Sequence, residues 1–262
     1  MQLISGLCTD AGTVKKINQD SLCIKSANFR DTSFTMGVIC DGLGGLSDGE
    51  TASSYIVNGL SVWFENTLPG LLKGKISMLD IRHQLDSELH RLNPNLNRYC
   101  ELTGKNPATT MTALLFISSA GKVITAHIGD TRIYRIYEDK TIITTEDHSV
   151  LAEEIRKGNI TKEEALYDSR QNQLTKCMGA GLENISFDYK ILPEEDACTY
   201  LICSDGFRKT ILEEEISSAL KPSALTDNTS SEQILRNLTD LCMQRGETDN
   251  ISSLILKIKR KD

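Results

Sequence analysis

Five aspartates carry the chemistry on offer in this chain. Asp41 follows the apolar run Val38-Ile39-Cys40 and precedes Gly42, Gly44 and Gly45. Asp130 follows Ala126-His127-Ile128-Gly129, Asp205 follows Tyr200-Leu201-Ile202-Cys203-Ser204, and Asp249 with Asn250 begins the last apolar run. Asp20 opens the run from Ser21 to Lys25 after Asn18-Gln19. Taken singly, each is ordinary turn chemistry, because aspartate and glycine dominate turns. Taken together at the ends of apolar strands they point to one rim, provided those ends converge. Like charges brought that close cannot all stay ionised without compensation, and divalent cations are the natural compensation. Oxygen donors without a cluster of His or Cys favour Mg²⁺ or Mn²⁺ over zinc, and the glycines let a backbone carbonyl join the ligands. Gly42, Gly44 and Gly45 are expected to remove side chains that would crowd Asp41, and Gly49-Glu50 to open the next helix.

Other chemistries fit less well. None of the eight cysteines sits in a Cys-x5-Arg phosphate loop, and Cys8, Cys23, Cys40, Cys198 and Cys203 lie in strand-like apolar runs, as buried reduced thiols do. The four histidines show no HExxH spacing. His148, beside Asp147, is read as a structural hydrogen-bonding group rather than an acid. No DxDxDG loop suggests a calcium module.

Strand-like segments run near Gln2 to Cys8, Ser21 to Lys25, Thr35 to Cys40, Thr110 to Ser118, Lys122 to Ile128, Arg132 to Tyr137, Thr141 to Thr144, Thr199 to Cys203 and Ile251 to Ile258. Helical periodicity covers Glu50 to Glu65, Ile76 to Leu92 and Ser231 to Gln244, with short helices at Leu151 to Lys157 and Lys162 to Leu166. Ser119-Ala120-Gly121 and Gly129-Asp130-Thr131 are too short to carry crossovers, so Thr110 to Tyr137 reads as antiparallel hairpins. The order predicts an α+β layered sandwich, strands on strands with helices outside, not alternating βαβ units.

No Pro- or Ser-rich linker or repeat divides the 262 residues, so one domain is expected. With 39% hydrophobic and 25% charged residues and a net charge of -7, the composition is that of a soluble globular protein, with no surface expected for nucleic acid or membrane. The apolar runs are too short to span a membrane, and the N-terminus lacks the layout of a signal peptide, so a cytoplasmic protein is expected.

The chain resembles the metal-dependent serine/threonine protein phosphatases (the PPM or type 2C family), most closely their compact bacterial branch. Thr9 to Asp20 is similar to the opening motif ending in Asn-Gln-Asp. Cys40-Asp41-Gly42-Leu43-Gly44-Gly45 with Gly49-Glu50-Thr51-Ala52-Ser53 is similar to the metal-bridging motif. Ala108-Thr109-Thr110-Met111-Thr112 resembles the Gly-Thr-Thr strand, and Gly129-Asp130-Thr131-Arg132 the Gly-Asp-Ser-Arg turn. Thr145 to Ser149 and Leu174 to Gly179 resemble the two borders of a flap covering about 147–181. Cys203-Ser204-Asp205-Gly206 and Asp249-Asn250 resemble the last two metal motifs.

The resemblance implies a four-layer α-β-β-α sandwich, its central antiparallel β-sandwich flanked by helix pairs, with a binuclear Mn²⁺ or Mg²⁺ centre at one end. Asp41 would bridge both ions, Gly42 would offer its carbonyl, Asp205 and Asp249 would complete the second ion, and Asp20 would hold a water. Asp130 with Asp205 would frame a third ion, and Lys15 would face the substrate phosphate. The implied reaction is hydrolysis of phosphoserine and phosphothreonine by a water between the ions, in a monomer acting on the phosphoprotein products of a serine/threonine kinase. A catalytically impaired adaptor is the alternative. Four positions depart from the family pattern. Gln19 stands for a glutamate, Leu43 for a histidine of animal members, and Lys15 for an arginine, giving a point charge in place of a fork. Phe207-Arg208-Lys209-Thr210 replaces a Leu-Thr-Asp type of segment.

Overall fold

The structure, a computed structural model, describes residues 2–29, 32–44, 48–73, 77–195 and 198–259. In chain order the strands and helices are β1 (Gln2–Asp10), β2 (Ser21–Phe29), β3 (Thr32–Cys40), β4 (Gly42–Leu43), α1 (Asp48–Asn66), α2 (Leu68–Leu71), α3 (Met78–Thr103), β5 (Ala108–Thr109), β6 (Met111–Ile117), β7 (Lys122–Ile128), β8 (Arg132–Ile136), β9 (Thr141–Ile143), α4 (Val150–Arg156), α5 (Lys162–Ala165), β10 (Met178–Gly179), β11 (Asp188–Pro193), β12 (Thr199–Cys203), α6 (Asp205–Arg208), α7 (Glu213–Leu220), α8 (Asn228–Gln244) and β13 (Ile251–Lys259).

Two antiparallel five-stranded sheets, β1-β13-β12-β8-β9 and β11-β7-β6-β3-β2, stack face to face, and a small sheet β10-β5-β4 sits at one end. Alternation along the central strands sends one set of side chains to the helices and the other between the sheets. In β3, Phe34, Met36, Val38 and Cys40 join the core under α1 and α3, whereas Ile39 joins Leu114, Phe116, Tyr200, Ile202 and Leu254 between the sheets. Leu201, Cys203, Ile251 and Ile255 face the other way, against Leu220 of α7 and Leu235, Leu238 and Cys242 of α8. Three buried cores therefore separate four layers, the expected α-β-β-α sandwich. Both faces of the central strands are covered, so their sequences read as unbroken apolar runs. Each fully buried large side chain contributes about 1.5–3 kcal/mol of transfer free energy.

Some expectations need correcting. β6 and β7 form the expected hairpin, with Met111 opposite Ile128. The next connection does not form one. β8 pairs with β12 and β9, so Gly129-Asp130-Thr131 carries the chain from one sheet to the other. α3 runs on through Pro94 to Thr103, past the end at Leu92 that the pattern predicts; its start is set by the Ser77/Asp80 capping box, and Ile76 lies outside the described residues. Thr110 is not in the long strand, since Ala108–Thr109 belongs to the small sheet. α8 begins three residues early, capped by Asp227. Strands β4, β5, β10 and β11 and helices α2, α6 and α7 were not anticipated. Among the described residues no helix is long and apolar enough to cross a membrane.

Candidate metal centre

The strand ends do converge. Lys15, Gln19, Asp41, Gly42, Asp130, Asn172, Asp205 and Asp249 line one cavity of about 200 Å³, and Asp20 lies buried beneath it within electrostatic reach of Asp205 and Asp249. Asp41 is pinned through its backbone: its N–H donates to Thr110 Oγ1 (2.9 Å), and its carbonyl accepts from Thr110 N (2.9 Å) and Thr109 Oγ1 (2.9 Å). Thr109 of β5 and Thr110 after it thus fix the end of β3.

The glycines around Asp41 serve a purpose other than the expected one. A Cβ on Gly42 would lie 2.3 Å from the Gly49 carbonyl oxygen and 2.5 Å from that of Gln19, and a Cβ on Gly49 would lie 2.7 Å from Gly42 C. The missing side chains make room for the start of α1 and for the Gln19 backbone, not for the carboxylate. Helix α1 opens at Asp48, one residue before Gly49, and Gly45 lies outside the described residues.

Asp249 and Asp205 are seated in a similar way. Glu247 Oε1 accepts from Thr248 N (2.9 Å) and Asp249 N (3.0 Å), and a Cβ on Gly206 would meet the Asn250 carbonyl oxygen at 2.2 Å. Asn250 binds the loop that leads to Asp20, accepting from Gln19 N (2.9 Å) and donating to Ala11 O (3.0 Å) and Ile17 O (3.2 Å). This clamp was not foreseen, because an asparagine after a turn aspartate looks like more turn.

Electrostatics decide what the cavity can hold. Burial above all, then the charges of Asp20 and Asp205, push the Asp41 carboxyl well above the ordinary range. Burial, opposed by the Ser252 hydroxyl and helped by Asp205, pushes Asp20 up to about 7. Burial and Asp205 do the same for Asp130, also to about 7, against the pull of Arg208. Ser252 Oγ is shared with Thr9 Oγ1 (2.8 Å) and Ser204 Oγ accepts from Ser252 N (3.0 Å); both hydroxyls lie near enough to Asp20 to hold its pKa down, yet neither meets its oxygens in hydrogen-bond geometry, and Asp205 Oδ1 has no partner either.

Among the described residues no three His, Cys, Asp or Glu side chains are drawn together as a finished ligand set. Instead, lysines stand among the carboxylates: Lys15 Nζ lies 3.3 Å from Asp249 Oδ1 and Lys209 Nζ 2.5 Å from Asp205 Oδ2. Buried carboxylate oxygens without partners are costly unless a cation meets them, and their hardness fits Mg²⁺ or Mn²⁺. The residues present therefore fit divalent ions.

The histidines are placed for structure. His148 Nδ1 accepts from Gly129 N (3.1 Å) and its other nitrogen reaches Asp188 Oδ2 (3.1 Å), the hydrogen-bonding part expected for it. Its ring stacks on His127, centroids 5.0 Å apart. His127 spans Thr112 Oγ1 (2.8 Å) and Glu146 O (3.0 Å), and burial, then His148, pushes it down to about 4. All eight cysteines are free thiols.

The flap leaves the sandwich at Asp147, whose burial is outweighed by the Arg132 fork (2.8 and 2.7 Å) and by Arg208, so that its carboxyl stays below the usual range. It carries α4 and α5 and returns beside itself, Thr175 N donating to His148 O (2.8 Å). At its far border Asn93 Oδ1 accepts from Gly179 N (2.8 Å), and Asn97 Oδ1 from Gly181 N (3.1 Å). A cleft of about 500 Å³ runs under α4 and α5 to Asp130, floored by Leu151, Ile155 and Leu166 and edged by Arg132, Arg208 and Lys209.

The family model for Protein phosphatase 2C matches residues 12–251. The chain belongs to the protein phosphatase 2C family. It is 29% identical over 252 residues to the serine/threonine phosphatase stp of Listeria innocua, covering 95% of this chain and 93% of that one. The solved structure of Stp1 from Staphylococcus aureus superposes with a TM-score of 0.84 at 24% identity, over 99% of this chain and 96% of its own. The catalytic domain of the serine/threonine protein phosphatase PstP, solved with two manganese ions, has a TM-score of 0.78 at 23% identity, over 98% of this chain and 99% of that one. Phosphatases of this family are metal-dependent. Each aspartate expected from the family motifs borders or underlies the one cavity, whereas Arg208 and Lys209, in one of the four departures from the family pattern, line the adjoining cleft and set cations against Asp130 and Asp205.

Proposed function

We propose that this chain is a metal-dependent protein phosphatase that hydrolyses phosphoserine and phosphothreonine in protein substrates. The observation that carries this reading is the set of buried, partnerless oxygens on Asp20 and Asp205 in a cavity shared with Asp41, Asp130 and Asp249. Asp41, Asp205, Asp249 and the Gly42 carbonyl would hold two Mn²⁺ or Mg²⁺ ions, with Asp20 placed to accept hydrogen bonds from a water. Two such ions supply charge neutralisation for the phosphoryl oxygens and a water acidic enough to attack phosphorus in line.

The chain's own residues position the rest. Lys15 projects from the loop that Asn250 clamps and is half-exposed, so its ammonium can leave Asp249 for a phosphate oxygen. Burial lifts the Cys40 thiol well above its usual range, so the nearest cysteine offers no thiolate nucleophile. Leu43 offers no proton donor at the position where animal members carry histidine. The cleft beneath α4 and α5 is open to the residues flanking a phosphorylated side chain, which makes the flap the selector among protein substrates. The reading extends to one catalytic domain acting as a monomer in the cytoplasm, on the products of a serine/threonine kinase.

Phosphate release from a phosphothreonine peptide tests it. Release should require Mn²⁺ or Mg²⁺ and stop reversibly with EDTA. Turnover that persists in excess chelator would refute the metal mechanism, and no turnover with saturating Mn²⁺ would favour an adaptor.

A further inference from the structure

The segment Phe207-Arg208-Lys209 is one of the four places where the chain departs from the family pattern, and it touches the metal centre. α6 is a single turn opened by Asp205 and closed by Lys209, whose N–H donates to Asp205 O (3.0 Å). The spacing of four residues places the ammonium over the carboxylate, 2.5 Å from Asp205 Oδ2. Phe207 is fully buried against α8, and Gly206 lies flat against Asn250, so the turn cannot swing this lysine away. Arg208 occupies the other side: its Nη2 donates to Asp130 O (3.1 Å) and Asp147 Oδ2 (3.2 Å) and stands 3.8 Å from Asp130 Oδ2. The Lys209 ammonium also donates to Asn172 Oδ1 of the flap (3.0 Å) and interacts through its charge with Asp249 and Asp130.

The two oxygens of Asp205 are thus divided. Oδ1 is buried and without a partner, available to an ion, while Oδ2 is taken by Lys209. We infer that Lys209 is a tethered cation that takes the place of an ion between Asp205 and Asp130, so that this protein binds two divalent ions and not three, and that the same ammonium ties the flap to the centre at Asn172. A fixed ammonium held on Asp205, with the Arg208 guanidinium 3.8 Å from Asp130 Oδ2, neutralises the pair of carboxylates without depending on ion concentration. The inference rests on reading the carboxylate cavity as a divalent-ion centre.

Counting Mn²⁺ bound per chain, by equilibrium dialysis and by the loss of the free-ion EPR signal, tests it without substrate. Two ions are expected in the wild type and in Lys209→Arg, where the charge is kept. Three are expected in Lys209→Met, which keeps the length and loses the charge, and the third should vanish again in the double variant Lys209→Met/Asp130→Asn. Three ions in the wild type would overturn the inference, and that count requires no variant to fold. So would two ions in a Lys209→Met chain whose circular dichroism matches the wild type. A wild type that binds no Mn²⁺ would instead overturn the metal-centre reading itself.

Discussion

At the rim, backbone meets backbone. Gly42 lies against Gly49 and Gln19, Gly206 against Asn250, and the Asp41 carbonyl and N–H are both engaged by Thr109 and Thr110. On the flap, side chains make the ties, Lys209 to Asn172, Arg208 and Arg132 to Asp147, Asn93 and Asn97 to the returning strand, and the glycines at 158 and 181 have open space around them. Contacts between backbones fix position for any sequence that keeps the glycines, whereas ties between side chains can be exchanged one residue at a time.

The largest break in this contrast should come from a matched pair of glycines. Gly42→Ala forces a Cβ into backbone that cannot yield and should cost at least about 3 kcal/mol of stability, beyond ordinary overpacking. Gly158→Ala on the flap, at φ 73° with open space around it, should cost only about 1–2 kcal/mol from the left-handed backbone alone. Urea unfolding of both variants checks this, and equal losses would erase the distinction.

A smaller effect sharpens the account of the rim. Asn250→Ala removes three hydrogen bonds to the loop that carries Lys15 and leaves their backbone partners unmet, for about 2–3 kcal/mol. Because the loop positions Lys15, KM for a phosphopeptide should rise more than kcat falls, the mark of weakened ground-state binding. A stability loss with unchanged KM would show that the loop needs no clamp to place Lys15.

The smallest expected effect is a pH dependence between the two regions, where His127 and His148 stack. His127 titrates at about 4 in the folded chain against an ordinary 6.5, so between these values the unfolded chain binds more protons. Its contribution is therefore complete above pH 6.5 and lost as pH falls toward 4, amounting to about 2 kcal/mol between pH 7.5 and pH 5. His127→Asn should be less stable throughout yet lose less on acidification than the wild type. Parallel pH profiles for the two proteins would remove His127 from the account.

Much of the rim was legible in the sequence because a strand buried on both faces reads as an apolar run, and its abrupt end at Asp41, Asp130 or Asp205 marks a sheet edge. What hid was whatever depends on a neighbour distant in sequence. Strand periodicity cannot say which sheet β8 joins, so the turn at Asp130 looked like a hairpin. Asn93 and Asn97 lie beyond Leu92, where the periodicity ends, and nothing local shows that the flap border rests on them. The periodicity ends the helix at Leu92, although α3 continues through Pro94. β11, an edge strand whose residues alternate between half-buried and exposed, carries too few apolar side chains to announce itself. Gly42 was recognised as needed, for a reason that only the packing of α1 supplies.

The central claim is that the rim buries its carboxylates for ions and not for the fold, and thermal unfolding with and without Mn²⁺ tests it most directly. A group that binds only the folded state raises the melting temperature, whereas in chelator the buried Asp41 carboxylate has no such return. Wild-type protein should therefore gain thermal stability with Mn²⁺, and Asp41→Asn should lose most of that gain while melting no lower than the wild type in EDTA. An Mn²⁺ shift that survives undiminished in Asp41→Asn, or a variant that melts well below the wild type in EDTA, would contradict the claim.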